Sequence, residues 1–423
     1  MRAFKNIELY YFTITYVVTI ILTRPSGFVQ DYRRLFWIIP FAVWVMGFVI
    51  NKLNKNSYMV MWSKQSPKMK IYYLIFTLTM IITNLFSINV LYSIFSGLFV
   101  VGLFVIMFNV AGAAIIKINR DLKLKKFITN QLLFIQIISI TGNFLIPHWN
   151  WDSTLRFSGG IGPNMMAFIS LFSVLWFMDI KIDSLFKPQS VIGIFLSIIT
   201  LLWTMSRGRI IGLIFLIIFL FLNNVAILLN SRLNYKFSKS KAMVNIVVVF
   251  IITILSPVSI KWIMNSERIL MRLTTSGDSR LFAWNILMEA FKDNIIFGSL
   301  GWWNANDTIR QYSFANMATS AHNFYLRVLS EIGILGLIVA IAFPTFLVLK
   351  SLKVALMRKD ISRNRRKKLL LYSGGIVAFF ITQIVEDQYL NGIGDFQMGL
   401  FIWLFALSYY YLNENKYSFK RDD

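Results

Sequence analysis

Apolar residues fill this chain in runs of roughly 16 to 22 positions, about the length at which a helix crosses the hydrocarbon core of a bilayer. Short stretches rich in lysine and arginine separate the runs. The pattern continues along the whole chain and predicts a single membrane domain over residues 1–423, an all-α polytopic bundle. The predicted spans are residues 7–23, 35–50, 71–89, 94–116, 127–146, 164–180, 190–204, 210–229, 242–260, 332–349, 370–386 and 396–412.

The first apolar run could be mistaken for a secretory signal peptide, because the basic segment Met1–Lys5 precedes it. Thr23, Arg24 and Pro25 follow the run, where a signal peptide would carry a cleavage site of small residues. We therefore interpret this run as the first, retained membrane helix.

Composition agrees with a membrane protein and excludes several kinds of site. The chain is 57% hydrophobic and 15% charged, whereas soluble domains have about 45–50% apolar and about 25% charged residues. There are no cysteines and only two histidines. Disulfides, thiolate metal sites and a cysteine nucleophile are therefore excluded, and no metal or other cofactor is expected.

The net charge of +24 is explained by membrane topology. Cytoplasmic loops of membrane proteins concentrate lysine and arginine. With both termini inside, the inner segments hold 30 of the 43 basic residues, and residues 350–369 form the densest block. Nucleic-acid binding is not expected, since no aromatic-interleaved basic platform or known binding module is present.

One long connection, residues 261–331, joins the ninth and tenth spans on the outer side. Residues 266–273 resemble a short helix, and residues 278–292 resemble an amphipathic helix. Gly298 and Gly301 then interrupt the chain. Long loops with structure of their own are usually functional, so we expect most of the site here.

The basic residues on the outer side are the informative ones, because topology disfavours them. Arg207 and Arg209 flank Gly208 between two apolar runs. A charge near hydrocarbon needs a partner, which here is either an outer carboxylate or an anionic ligand. Guanidinium groups bind phosphate oxygens in a bidentate manner, so these arginines are candidate phosphate ligands.

The long loop adds further candidates. Arg268 and Arg272 share a helix face, and Arg280 begins the amphipathic helix. His322 can accept a proton near neutral pH, although an interfacial histidine bonded to backbone is the alternative. His148 is interpreted as part of an aromatic interfacial belt. Four residues separate Arg327 from Glu331, and we expect these two to pair.

Three segments together resemble the O-antigen polymerase and ligase superfamily of bacterial membrane glycosyltransferases. The first is Ser206-Arg207-Gly208. The second is Ser279-Arg280 with Trp284, followed by Asp293 and the turn at Gly298 and Gly301. The third is His322-Asn323-Phe324-Tyr325-Leu326 leading to Glu331-x-Gly333-x-x-Gly336.

The resemblance implies a metal-independent transfer of glycan from undecaprenyl diphosphate to an acceptor hydroxyl, on the outer face of the bacterial inner membrane. It assigns diphosphate binding to Arg207 and Arg280 and the essential histidine to His322. Arg209 and Arg272 are additional candidates for diphosphate binding. The family has Gly-x-Gly after the second motif, whereas two residues separate the glycines here, in Gly298-Ser299-Leu300-Gly301. A chain-length regulator is a partner implied by the family alone.

Three functions stay open on the sequence. A polymerase would join lipid-linked repeat units of O-antigen, capsule or exopolysaccharide, and this is the function we favour. A ligase would move the finished glycan to another acceptor. A lipid-linked glycan flippase or transporter would also suit twelve spans, but transporters place ionisable residues near mid-membrane, whereas the unusual residues here collect in the outer loop.

Overall fold

A computed structural model describes residues 8–23, 38–55, 57–64, 67–145, 157, 159, 161–204, 206–232, 277–312, 320–358, 360–387, 389–390 and 396–417. Every regular element within these ranges is a helix. They are α1 (Tyr11–Thr23), α2 (Ile38–Leu53), α3 (Ser57–Lys64), α4 (Pro67–Asn84), α5 (Val90–Arg120), α6 (Leu122–Leu145), α7 (Pro163–Ile182), α8 (Lys187–Trp203), α9 (Arg207–Arg232), α10 (Gly277–Asp293), α11 (Ala305–Tyr312), α12 (Phe324–Met357), α13 (Arg363–Thr382), α14 (Phe396–Leu412) and α15 (Glu414–Tyr417).

The predicted spans within the described ranges correspond to helices whose ends differ by several residues. The largest difference is at α12, which begins eight residues before the predicted span at 332 and contains a kink. The short helices α3, α11 and α15 were not predicted. The predicted span 242–260 and the predicted helix 266–273 lie outside the described residues.

Four described helices are long and apolar enough to cross a membrane: Val90–Arg120, Pro163–Ile182, Arg207–Val225 and Phe324–Met357. Shorter apolar helices, such as Lys187–Trp203, accompany them. The chain is therefore a helical membrane protein in the part that the structure describes, while the count of twelve spans and the sidedness of the termini stay predictions.

The core of the bundle surrounds α14, whose residues from Gln397 to Leu412 are all buried. A helix that is apolar on all sides is expected to be enclosed by others, and α14 packs against α5, α7, α12 and α13. Phe380, Phe401 and Phe405 contact Tyr389 and one another in edge-to-face, tilted or stacked arrangements. This aromatic core reaches the loop after α13, which helps to form the site described below.

A buried ionic cluster lies where three of the predicted inner segments meet. Lys125 and Lys368 each contact Asp183, at 2.8 and 2.6 Å, and Lys368 also contacts Asp179 at 3.1 Å. These lysines and Asp183 come from segments 117–126, 350–369 and 181–189. The structure thus brings to one face three segments that the charge pattern assigned to one side.

Candidate active site

His322 occupies a backbone conformation that L-amino acids rarely adopt, with φ at 45°. Non-glycine residues in the left-handed region cost of order 1 kcal/mol or more and cluster at functional sites. The next residue, Asn323, caps α12 by accepting a hydrogen bond from the Leu326 amide at 3.0 Å. His322 is therefore held in a strained turn immediately before a fixed helix end.

Hydrogen bonds from two loop helices hold the segment that contains His322. The indole Nε1 of Trp284, on α10, donates to the carbonyl of Ala321 at 2.9 Å. The Ala321 amide donates to Oδ1 of Asn306, on α11, at 3.0 Å. On the other side, the Phe324 amide donates to the carbonyls of Gln383 and Glu386, both at 3.0 Å. The position of His322 thus depends on α10, α11 and the loop after α13 together.

His322 opens onto a cavity of about 420 Å³. Ser320, Glu386, Asp387 and Gln397 also line this cavity, together with residues 161–165 at the start of α7. A helix N-terminus carries partial positive charge, so the start of α7 favours negative groups in the cavity. The volume falls within the usual range for small-ligand sites, about 300–1,000 Å³.

Both cavity carboxylates are paired with buried arginines. Glu386 contacts Nη1 of Arg209 at 2.5 Å, and Asp387 accepts from Nε of Arg327 at 2.7 Å. Arg209 also lies 5.5 Å from the ring of Phe168. Because each carboxylate has a cationic partner, the cavity wall does not present two uncompensated negative charges to an anionic ligand.

The predicted phosphate ligands occupy different environments. Arg280 is in the first turn of α10, partly exposed, and close enough to His322 for its charge to affect that imidazole. Arg209 is buried and bonded to Glu386. Arg207 is two residues before Arg209 on α9, so its side chain points to a different face of the helix, and it is exposed. Arg272 lies outside the described residues.

The surroundings of His322 lower the pKa of its imidazole below the ordinary 6.5. Burial is the largest cause, followed by the positive charge of Arg280; Arg209 adds to the effect and Glu386 opposes it. The neutral imidazole is therefore favoured near neutral pH. This is the form that can accept a proton from a hydroxyl group.

The expected pair of Arg327 and Glu331 is present and belongs to a larger buried network. Arg327 Nη1 donates to Glu331 at 2.9 Å and Nη2 donates to the Tyr389 carbonyl at 3.1 Å. Its guanidinium also lies 4.8 Å from the ring of Trp302. The Ala305 amide donates to Glu331 at 3.2 Å. The network joins the loop, α12 and the segment after α13 behind the cavity.

The glycine motifs form a second connection between the loop and α12. Gly333 has φ at 67° and breaks the helix, and a Cβ there would lie 2.2 Å from the carbonyl oxygen of Ile296. Gly298 has φ at 74°, and a Cβ there would lie 2.6 Å from the carbonyl of Glu331. The two backbone segments approach so closely here that both positions require glycine.

Sequence reasoning did not assign a role to several residues of the site. Glu386 and Asp387 are two of the carboxylates at the outer end of the predicted span 370–386, and their positions beside His322 depend on the folding of α13 against α12. Asn306, Asn164 and Gln397 carried no signal in the sequence. The adjacent acidic pair in a short outer connection was the signal that could have drawn attention to Glu386 and Asp387.

Comparison with known proteins found a family model that matches part of the chain. Residues 192–341 match the family model described as O-antigen ligase. The match contains α9, the described part of the long loop and the first half of α12, and therefore includes Arg209, Arg280 and His322. No curated protein matches the chain.

Proposed function

Because residues 192–341 of this chain belong to the O-antigen ligase family, we propose that the protein is a polymerase of surface polysaccharide. It transfers glycan from undecaprenyl diphosphate to the hydroxyl of a lipid-linked repeat unit, on the outer face of the bacterial inner membrane. The observation that carries this proposal is that His322 lines a cavity together with Glu386, the partner of Arg209, and lies close enough to Arg280 and Arg209 for both charges to lower the pKa of the imidazole.

The reaction needs a base and a site for the leaving group. An acceptor hydroxyl oxygen forms a bond to the anomeric carbon, the bond from that carbon to the diphosphate oxygen breaks, and the hydroxyl proton passes to His322. A sugar hydroxyl is a weak nucleophile until its proton is removed. The lowered pKa of His322 keeps its imidazole neutral and ready for this step.

The diphosphate leaves with its negative charge, which fixed guanidinium groups stabilise in a poorly solvated site. Arg280 is the primary ligand in this proposal for two reasons. Its positive charge lowers the pKa of His322, so it lies near the base, and it forms no ion pair within the described residues. Arg207 is exposed at the start of α9 and is the second ligand. Arg209 is already bonded to Glu386 and acts mainly by balancing charge. Arg272 remains a candidate.

The remaining parts of the proposal follow from the same chemistry. Two reactants that carry polyprenyl chains require a site at the membrane surface, where the apolar helices accommodate the tails. The transfer requires no metal, because a diphosphate is already a good leaving group when cations balance its charge. A chain-length regulator is a further proposed partner.

Ligation is the second candidate, since the matched family model bears that description. The same site would then transfer a finished glycan to a different outer acceptor. The two reactions share the donor and the leaving group and differ only in the acceptor.

Deleting the gene and separating lipid-linked glycans and surface polysaccharide on a gel tests these functions. A polymerase deletion leaves single repeat units in place of a ladder of chain lengths. Long chains that stay on the lipid carrier would indicate a ligase. Single repeat units that a membrane-impermeant reagent cannot reach in spheroplasts of the deletion strain would indicate a flippase and would contradict an outer transferase site.

A further inference from the structure

The turn at residues 294–297, between α10 and Gly298, carries exposed apolar side chains. Ile295 and Ile296 are 49% and 59% exposed. Phe297 stacks on Phe86 with the ring centroids 4.5 Å apart. Phe86 belongs to the connection between α4 and α5, where Leu85 and Ile88 are also exposed. Two separate connections thus place their apolar residues side by side.

This patch is continuous with faces of the helices that cross the membrane. Ile334 and Ile338 are exposed just after the kink of α12, and the Ile334 amide donates to the Ile295 carbonyl at 3.0 Å. Leu91 is exposed in the first turn of α5. The helices α5 and α12 are both apolar enough to span. The exposed faces of α5 and α12 and the patch therefore contact the same surroundings.

The backbone arrangement favours a site within the membrane. The kink at Gly333 exposes the first amides of the second half of α12, and backbone donors in hydrocarbon must be satisfied within the protein. The carbonyls of Ile295 and Ile296 accept from the amides of Ile334 and Leu335, at 3.0 and 3.2 Å. The turn therefore caps the membrane part of α12 while its own side chains face outward.

A polar boundary lies one turn away along the chain. Glu289 and Lys292 form an ion pair on α10, and their side chains are 72% and 60% exposed. An exposed ion pair belongs in water or among headgroups. The exposed side chains thus change from charged to apolar between Asp293 and Ile295.

We propose that the turn Asn294–Phe297 is embedded in the acyl chains of the bilayer, together with the connection Leu85–Ile88, and that the end of α10 is thereby anchored in the membrane. The occupant of this surface is bulk lipid and not a second protein. The anchor fixes the end of α10 opposite to Arg280. This inference does not depend on the reaction that the protein catalyses.

The absence of cysteine from the chain allows a direct test. Single variants Ile296→Cys, Ile88→Cys and Glu289→Cys are labelled with a bimane fluorophore, and the full-length protein is reconstituted in phosphatidylcholine vesicles. Quenching is measured with a lipid that carries a nitroxide near the top of its acyl chain, and with iodide in the water. Ile338→Cys gives the reference for a side chain in hydrocarbon.

Labels at positions 296 and 88 should be quenched by the nitroxide lipid within about twofold of the label at 338, and they should be protected from iodide. The label at 289 should show the reverse. Equal iodide quenching at 296 and 289 would overturn the proposal. Protection of position 296 from both quenchers would also overturn it, because the patch would then be covered by protein.

Discussion

The indole nitrogen of Trp284 donates a hydrogen bond to the carbonyl of Ala321 at 2.9 Å. Arg280 lies one helical turn before Trp284, on the same side of α10, and His322 directly follows Ala321. One hydrogen bond therefore fixes the helix that bears the proposed diphosphate ligand against the segment that bears the proposed base.

Trp284→Phe keeps an aromatic ring but removes this donor and one ring of the indole. We expect glycan transfer to fall about tenfold or more, since a displacement of about 1 Å in a site can cost 10²-fold in rate. Stability should change little, by about 1 kcal/mol, the net contribution of one hydrogen bond. The rate of ladder formation and the apparent melting temperature check both parts.

Trp303→Phe is the matched control. The Trp303 indole nitrogen has no hydrogen-bond partner within the described residues. The control should therefore keep normal transfer. An equal loss in both variants would mean that ring packing, and not the bond to Ala321, matters.

Arg327→Ala should destabilise the protein strongly. The variant leaves Glu331 and Asp387 buried without their cation, and removing one partner of a buried pair costs roughly 3–5 kcal/mol. A much lower melting temperature in detergent is expected. Arg310→Ala is the control, because Arg310 and Asp307 are both 60% exposed and such surface pairs contribute little. Similar melting temperatures for the two variants would contradict this role of Arg327.

Gly333→Ala should also destabilise the protein, because the new Cβ would lie 2.2 Å from the Ile296 carbonyl oxygen and the residue has φ at 67°. Gly102→Ala, in the middle of α5, meets nothing within 4 Å. It should be neutral or slightly stabilising, since alanine favours helices over glycine. The yield of monodisperse protein distinguishes the two. Tolerance of alanine at 333 would show that the loop does not dock tightly on the kink.

His322 should titrate below the ordinary pKa of 6.5, owing first to burial and then to the charge of Arg280. Only two histidines exist in the chain, so His148→Gln leaves one imidazole signal for ¹⁵N spectroscopy. Protonation removes the lone pair that accepts the hydroxyl proton, so transfer should persist down to pH 6.5 and fall only below it. In Arg280→Gln the midpoint should rise. A midpoint at or above 6.5 in the parent protein would contradict this environment.

The helical membrane fold could be predicted from sequence, because apolar run length is a strong and local signal. The pairing of Arg327 with Glu331 followed from helical spacing in the same way. Gly298 was predicted to interrupt the chain and Gly333 was part of the third motif, but the physical reason for both glycines required the structure. Their contact joins two segments that local patterns treat separately.

The roles of Glu386 and Asp387 could not be predicted from local patterns. Both residues reach His322 through the packing of α13 against α12, a contact across more than sixty positions of sequence. The different environments of Arg207 and Arg209 could not be predicted from the sequence either. Only the orientation of α9 shows that Arg209 points inward to Glu386 while Arg207 is exposed.

The most direct test of the proposed site compares glycan transfer by His322→Asn, Arg280→Gln and Lys367→Ala in a deletion strain, at equal levels of inserted protein. Asparagine tolerates the left-handed backbone of position 322 but cannot act as a base near neutral pH. We predict loss of transfer, by about 10²-fold or more, in the first two variants, and nearly normal transfer in Lys367→Ala. Near-normal product from inserted His322→Asn would contradict the assignment of His322 as the base.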